Sequence, residues 1–164
     1  MNENNLIFLA EKAVSSLIKS GTTLAVAESC TGGWLSKILT DVSGVSAIYK
    51  GGICSYSNEI KEKLLGVKHE TLSTFGAVSE QTAQQMAEGV SKAMGTDVGI
   101  GITGIAGPGS DNTSKPVGLI YVAISYGNQT IVKELRNTFT DNIRINNRLS
   151  AVETALNLLG GINE

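Results

Sequence analysis

Three candidate nucleophiles stand in a row at Ser29-Cys30-Thr31, preceded by Ala27-Glu28 and followed by Gly32-Gly33. The apolar run Leu24 to Ala27 reads as a strand and Trp34 to Leu39 as a helix. The segment therefore falls where a strand's carboxyl end opens into a helix. Ligands bind at such junctions in α/β proteins, and the helix N-terminus offers unpaired N–H groups to an anion. A hydroxyl or thiol there suits attack on a carbonyl carbon, and the glycines let a substrate approach the backbone. A plainer role for Ser29 or Thr31 is a helix N-cap, worth about 1 kcal/mol.

A second segment runs Gly51-Gly52-Ile53-Cys54-Ser55-Tyr56-Ser57-Asn58-Glu59-Ile60-Lys61. Ser57 or Asn58 is a good helix cap, which puts Lys61 in the first turn, where the helix dipole disfavours a cation. That field, with partial burial, lowers a lysine pKa and equips the amine to take a proton from a serine. The alternative is an exposed lysine balanced by Glu59 and Glu62. Tyr56, at the end of the preceding strand, can handle a proton, position a substrate, or be an ordinary half-buried aromatic. Paired glycines inside a strand mark a bulge or a close approach by backbone or ligand.

The third segment, Thr103-Gly104-Ile105-Ala106-Gly107-Pro108-Gly109, is again a strand running into a Gly-rich loop. Its N–H groups suit an anion or an oxyanion hole. It has neither the Gly-Lys-Ser/Thr of a phosphate-binding loop nor GxGxxG spacing. Arg144 and Arg148 share one face of the last helix; they suit a phosphate or carboxylate, a solvated face or a subunit contact. His69 is the only histidine, in a polar stretch that does not favour a Ser-His-Asp triad. With two separated cysteines, no His/Cys metal cluster of familiar spacing exists, and we expect no metal.

The elements that must hold these segments alternate along the chain. Leu6 to Ile18 carries apolar residues at helical spacing and stops at Gly21, then Thr22 to Glu28 is a strand. Helices are expected over 33–40, 58–65, 79–94 and 142–159. Further strands are expected over 47–56, 97–103, 116–125 and 130–135, the last two joined by the hairpin turn Tyr126-Gly127-Asn128-Gln129. One adjacent hairpin among longer crossovers predicts an α/β fold with a mixed sheet covered by helices on both faces. The 164 residues form one expected domain. A net charge of −2 argues against a surface that grips nucleic acid or anionic lipid. Two cysteines, no signal-like N-terminus and no run of eighteen apolar residues fit a soluble cytoplasmic protein.

Together, Glu28-Ser29-Cys30-Thr31-Gly32-Gly33, Gly51-Gly52 through Tyr56-Ser57-Asn58 to Lys61 and Leu64-Leu65-Gly66-Val67, Gly76-Ala77-Val78-Ser79, Thr103 to Pro108, and Lys115-Pro116-Val117-Gly118 resemble the CinA C-terminal domain family over nearly the whole chain. The resemblance implies a three-layer α/β/α sandwich with a mixed, mostly parallel sheet, commonly a homodimer. It implies the activity of nicotinamide-nucleotide amidases, which hydrolyse nicotinamide mononucleotide to nicotinic acid mononucleotide and ammonia in pyridine-nucleotide salvage, without a cofactor. Larger members carry a further N-terminal domain, and this chain resembles the stand-alone form. On the matching positions Ser29 is the nucleophile, with Lys61 and Tyr56 handling its proton. Glu28, Cys30, Thr31, Gly32, Gly33, Gly52, Asn58, Ala77, Thr103, Gly104, Gly107 and Arg144 are the implied substrate-binding positions. The lead-in Asp141-Asn142-Ile143 to Arg144 departs from the Gly-Asp-Arg turn usual in the family. Two rival readings are a non-catalytic nucleotide-binding or competence-associated module, and a hydrolase built on Cys30.

Overall fold

A five-stranded sheet in the order β2-β1-β3-β4-β5 organises the molecule. The computed structural model describes residues 3–163. In chain order the elements are α1 (Glu3–Ser20), β1 (Leu24–Glu28), α2 (Trp34–Thr40), β2 (Tyr49–Cys54), α3 (Asn58–Leu65), α4 (His69–Phe75), α5 (Glu80–Met94), β3 (Val98–Gly104), β4 (Leu119–Tyr126), β5 (Gln129–Arg136) and α6 (Ile143–Gly160). Strands β2, β1 and β3 are parallel, and β4 pairs antiparallel with both β3 and β5. The parallel core with an antiparallel hairpin is the mixed sheet that the alternation predicted.

Side-chain size decides what each face accepts. Leu24 and Val26 of β1 and Val98, Ile100 and Ile102 of β3 point to one face, where they pack with α1, α2 and α6. The opposite face of β1 offers only Ala25 and Ala27, which meet Leu65, Leu72, Met86 and Val90 from α3, α4 and α5. On β3 that face is Gly99 and Gly101, so α5 lies directly on the backbone. A Cβ at Gly99 would sit 2.0 Å from the Ala87 carbonyl oxygen, and one at Gly101 2.4 Å from that of Ala83. Helices thus cover both faces, and the molecule is a three-layer α/β/α sandwich.

The hairpin forms as expected, with Tyr126 opposite Gln129 across Gly127-Asn128 and Gly127 at φ +60°. Of the readings of the β2 glycines the bulge holds, for the β1–β2 register slips between Leu24 and Ala25; what approaches Gly52 is side chain, Ser36 Oγ and Tyr49 Oη, rather than backbone. Helix α4 was not expected. It is seven residues long and its Lys68 N-cap makes no side-chain bond, so the sequence around it carried no capping signal.

Candidate active site

The crossovers make the carboxyl ends of β1 and β3 neighbours. From β1 the chain passes through α2, on one face, to β2, then returns through α3 to α5, on the other face, to β3 on the far side of β1. Connections that diverge from adjacent strand ends leave a crevice there. Ser29, directly after β1, is pinned in it by its N–H, which donates to the Ile102 carbonyl of β3 at 3.0 Å.

Lys61 enters the same crevice from α3. Ser57 caps that helix by accepting from the Ile60 N–H at 3.3 Å, and Lys61 is its fourth residue, its Nζ donating to Ser29 Oγ at 3.2 Å. The amine also donates to the Ser55 carbonyl at 2.7 Å and the Tyr56 carbonyl at 3.3 Å. It is not an exposed lysine balanced by Glu59 and Glu62, for the residue is 1% exposed. Burial pulls its pKa down to about 8, because removing the ammonium from water disfavours the charged form. A neutral amine has two N–H bonds and one lone pair. The two carbonyls accept both N–H bonds, which leaves the lone pair for the Ser29 hydroxyl.

The neighbouring candidates separate on chemistry. Cys30 is buried, and burial pushes its thiol up to about 12, so no thiolate is available there at neutral pH. Thr31 is buried with its Oγ1 lacking a hydrogen-bond partner among the described residues. Neither Ser29 nor Thr31 caps α2, whose N-cap is Gly33 at φ +96° with no side-chain bond. The cap comes from Glu28. Its buried carboxylate accepts from the N–H groups of Gly33, Leu35 and Ser36 at 3.1, 3.0 and 2.8 Å and from Ser36 Oγ at 2.7 Å. The positive end of α2 is thereby already occupied by an anion of the protein itself. Glu28 and the Gly33 N–H thus serve each other in a structural role, because a buried carboxylate needs these donors.

A cleft of about 200 Å³ opens beside Ser29, lined by Cys30, Tyr56, Lys61, Ala77, Val78, Thr103, Gly104, Ala106, Asp111 and Arg144. Of the expected binding positions, Cys30, Ala77, Thr103, Gly104 and Arg144 reach it, and Gly32, Gly33, Gly52, Asn58 and Gly107 do not line it. The side chain of Tyr56 is at the surface, the residue being 66% exposed, and what touches Lys61 is its carbonyl rather than its phenol. Thr103 Oγ1 donates to the Ala77 carbonyl at 2.7 Å and so braces the α4–α5 loop. Gly107, at φ +79°, gives its carbonyl to Arg144 Nη1 at 2.8 Å. Arg148 plays the matching part for the first loop: Nη2 donates to the Thr31 carbonyl at 2.7 Å and the guanidinium lies 4.9 Å from the Trp34 ring. The two arginines on one face of α6 therefore clamp the two loops.

Val78, Ala106 and Asp111 are cleft residues that sequence reasoning missed; it also missed Asn147, outside the cleft lining, which holds the Ala106 carbonyl at 3.0 Å. One signal for Asn147 was available: it lies between the two arginines on a helix already singled out. His69 lies on the surface beside Glu62, its Nδ1 2.9 Å from Oε1. Among the described residues no three His, Cys, Asp or Glu side chains converge in a metal-binding group, and no helix is long and apolar enough to cross a membrane.

The family model of the CinA C-terminal domain matches residues 7–162. A CinA-like protein of Kosmotoga olearia is 52% identical over 78% of this chain and 31% of its own length. A putative competence-damage inducible protein of Clostridioides difficile is 51% identical over 91% of this chain and 35% of its own. The chain thus spans about a third of the length of the curated relatives it matches. Among solved structures, the competence/damage inducible protein CihA of Agrobacterium tumefaciens superposes with a TM-score of 0.91 at 39% identity, covering 100% of this chain and 98% of that one. A CinA superfamily protein of Escherichia coli gives 0.89 at 30% identity, covering 98% and 92%. With the match running through every segment that builds the cleft, this chain belongs to the CinA C-terminal domain family.

Proposed function

We propose that this chain is an amidohydrolase that converts nicotinamide mononucleotide to nicotinic acid mononucleotide and ammonia, with Ser29 as nucleophile and Lys61 as general base. The observation that carries this reading is the Lys61 amine, buried, pulled down to about 8 and 3.2 Å from Ser29 Oγ. Nucleotide binding alone needs no such pair. As free amine, Lys61 takes the Ser29 proton while Oγ adds to the carboxamide carbon; the resulting ammonium returns the proton to the departing nitrogen, which leaves as ammonia. Water then attacks the acyl ester, with Lys61 again the base, and frees the carboxylate. The N–H groups of Cys30 and Thr31 follow the nucleophile directly and make no hydrogen bond to an acceptor elsewhere among the described residues. They are the donors for the tetrahedral oxyanion. The cleft volume suits one aromatic ring with its amide, since a cavity of about 150 Å³ takes a benzene.

Ammonia release from nicotinamide mononucleotide without added metal tests the reading. Ser29→Ala is expected to fall to background, and Lys61→Ala by about 10²–10⁴ in rate. An inert wild type overturns the amidase reading, and binding without turnover marks a nucleotide-binding module instead. Full activity in Ser29→Ala overturns the nucleophile alone. The reading also brings a second copy of this chain as partner. Edge strand β5 supports it by exposing Ile131, and sedimentation decides it, a monomer overturning the dimer.

A further inference from the structure

Asp111 is the one carboxylate among the described residues lining the cleft, and Arg144 lines it too. No ion pair joins these two among the described residues, so both charges remain for a ligand. Asp111 sits in the loop between β3 and β4, whose two feet are fixed. Asn147 and Arg144 hold the Ala106 and Gly107 carbonyls at one end. At the other, Lys115 donates from Nζ to the carbonyls of Phe75 and Val78. Within the loop, Asp111 Oδ1 accepts from the N–H and hydroxyl of Thr113 at 3.1 and 2.5 Å, which orders the carboxylate and leaves Oδ2 with no partner among the described residues.

We infer that Asp111 is a specificity determinant that selects a cationic ring, pairing its carboxylate with the positive charge of an N-substituted pyridinium carboxamide bound beside Ser29. The inference rests on the proposed amidase reading for the orientation of the amide, and it deepens that reading by naming the charge state of the ligand. A neutral ring amide of the same shape gains nothing from this carboxylate. A pyridinium exchanges some of its hydration for a fixed counter-ion next to the reacting group. Arg144, which also lines the cleft and gives one nitrogen to the Gly107 carbonyl, brings a charge of opposite sign that suits the anionic tail of such a nucleotide where it leaves the cleft.

The test compares nicotinamide mononucleotide with its 1,4-dihydro form, in which the ring is neutral and the rest of the molecule unchanged. Binding is measured by calorimetry in a Ser29→Ala background, so that turnover plays no part. Asp111→Asn keeps an oxygen for the Thr113 turn and removes only the charge. It is expected to weaken the oxidised nucleotide by up to about fivefold, the scale of an exposed ion pair, and to leave the reduced one unchanged. Equal weakening of both nucleotides, no weakening of either, or no binding of either to the Asp111 parent overturns the inference. Because the readout is affinity, an absence of ammonia release sinks the amidase reading while this charge preference stands or falls separately.

Discussion

At Lys61 a single cause, burial, sets both the reactivity of the site and its dependence on pH. The folded protein releases the Lys61 proton near 8 rather than 10.5, so the free amine needed for attack is a minor species at neutral pH. In the proposed reaction kcat/KM is therefore expected to rise from pH 6 and level off above about 8; a profile flat over that range would show that Lys61 is not the base. The opposite consequence of burial holds at Cys30, where the thiol is pushed up to about 12. Iodoacetamide is expected to label Cys54, which is exposed, and not Cys30, with activity retained, and Cys30→Ala to keep turnover. An inactive Cys30→Ala beside an active Ser29→Ala would restore the thiol hydrolase. The residue types and their pairing were legible from the sequence. Partial burial was legible there too, beside the helix field; that the residue is almost wholly buried was not, because exposure is a property of packing.

Among the elements, α2 and α5 show how the frame of the site is held. Glu28 gives the start of α2 its hydrogen-bond acceptors from the last position of β1. Glu28→Ala strands three N–H groups in a closed region and is expected to cost about 3 kcal/mol or more in urea unfolding, with Glu28→Gln between it and wild type. An Ala variant as stable as wild type would show that water replaces the carboxylate. The packing of α5 makes a second demand. Gly101→Ala puts a methyl against backbone of Ala83 and Ala87, which cannot rotate away, and a loss of about 1–3 kcal/mol is expected from pushing the helix off the sheet. Helical period made α1 and α5 readable in the sequence, with the Ser79 cap at the start of α5, and the terminal Gly160-Gly161 marked the end of α6. Helix α4 was silent because it exists through the burial of Thr71 and Leu72 rather than through local signals.

Over the whole molecule, the cleft carries an energetic cost that linkage makes measurable. Lys61 is deprotonated more readily folded than unfolded, so the penalty for burying its charge is complete below about pH 8 and vanishes above 10.5. Stability of wild type relative to Lys61→Met is expected to rise by up to about 3 kcal/mol across that window. A constant difference would mean that the amine is not desolvated. Alternating patterns and turn residues along the chain were enough to determine five strands, the helices other than α4, the β4–β5 hairpin and the Ser29, Lys61 and Thr103 segments, since each depends on neighbours a few residues away. The strand order, which sets the ends of β1 and β3 side by side, came only from the tertiary structure. So did the capture of the α2 N-terminus by Glu28, the turning of Arg144 and Arg148 onto loop carbonyls, and the arrival of Asp111 in the cleft. Apart from the Glu28 cap, which spans five to eight residues, these are contacts between residues far apart in the chain, and the packing of helices on both faces of the sheet brings them together.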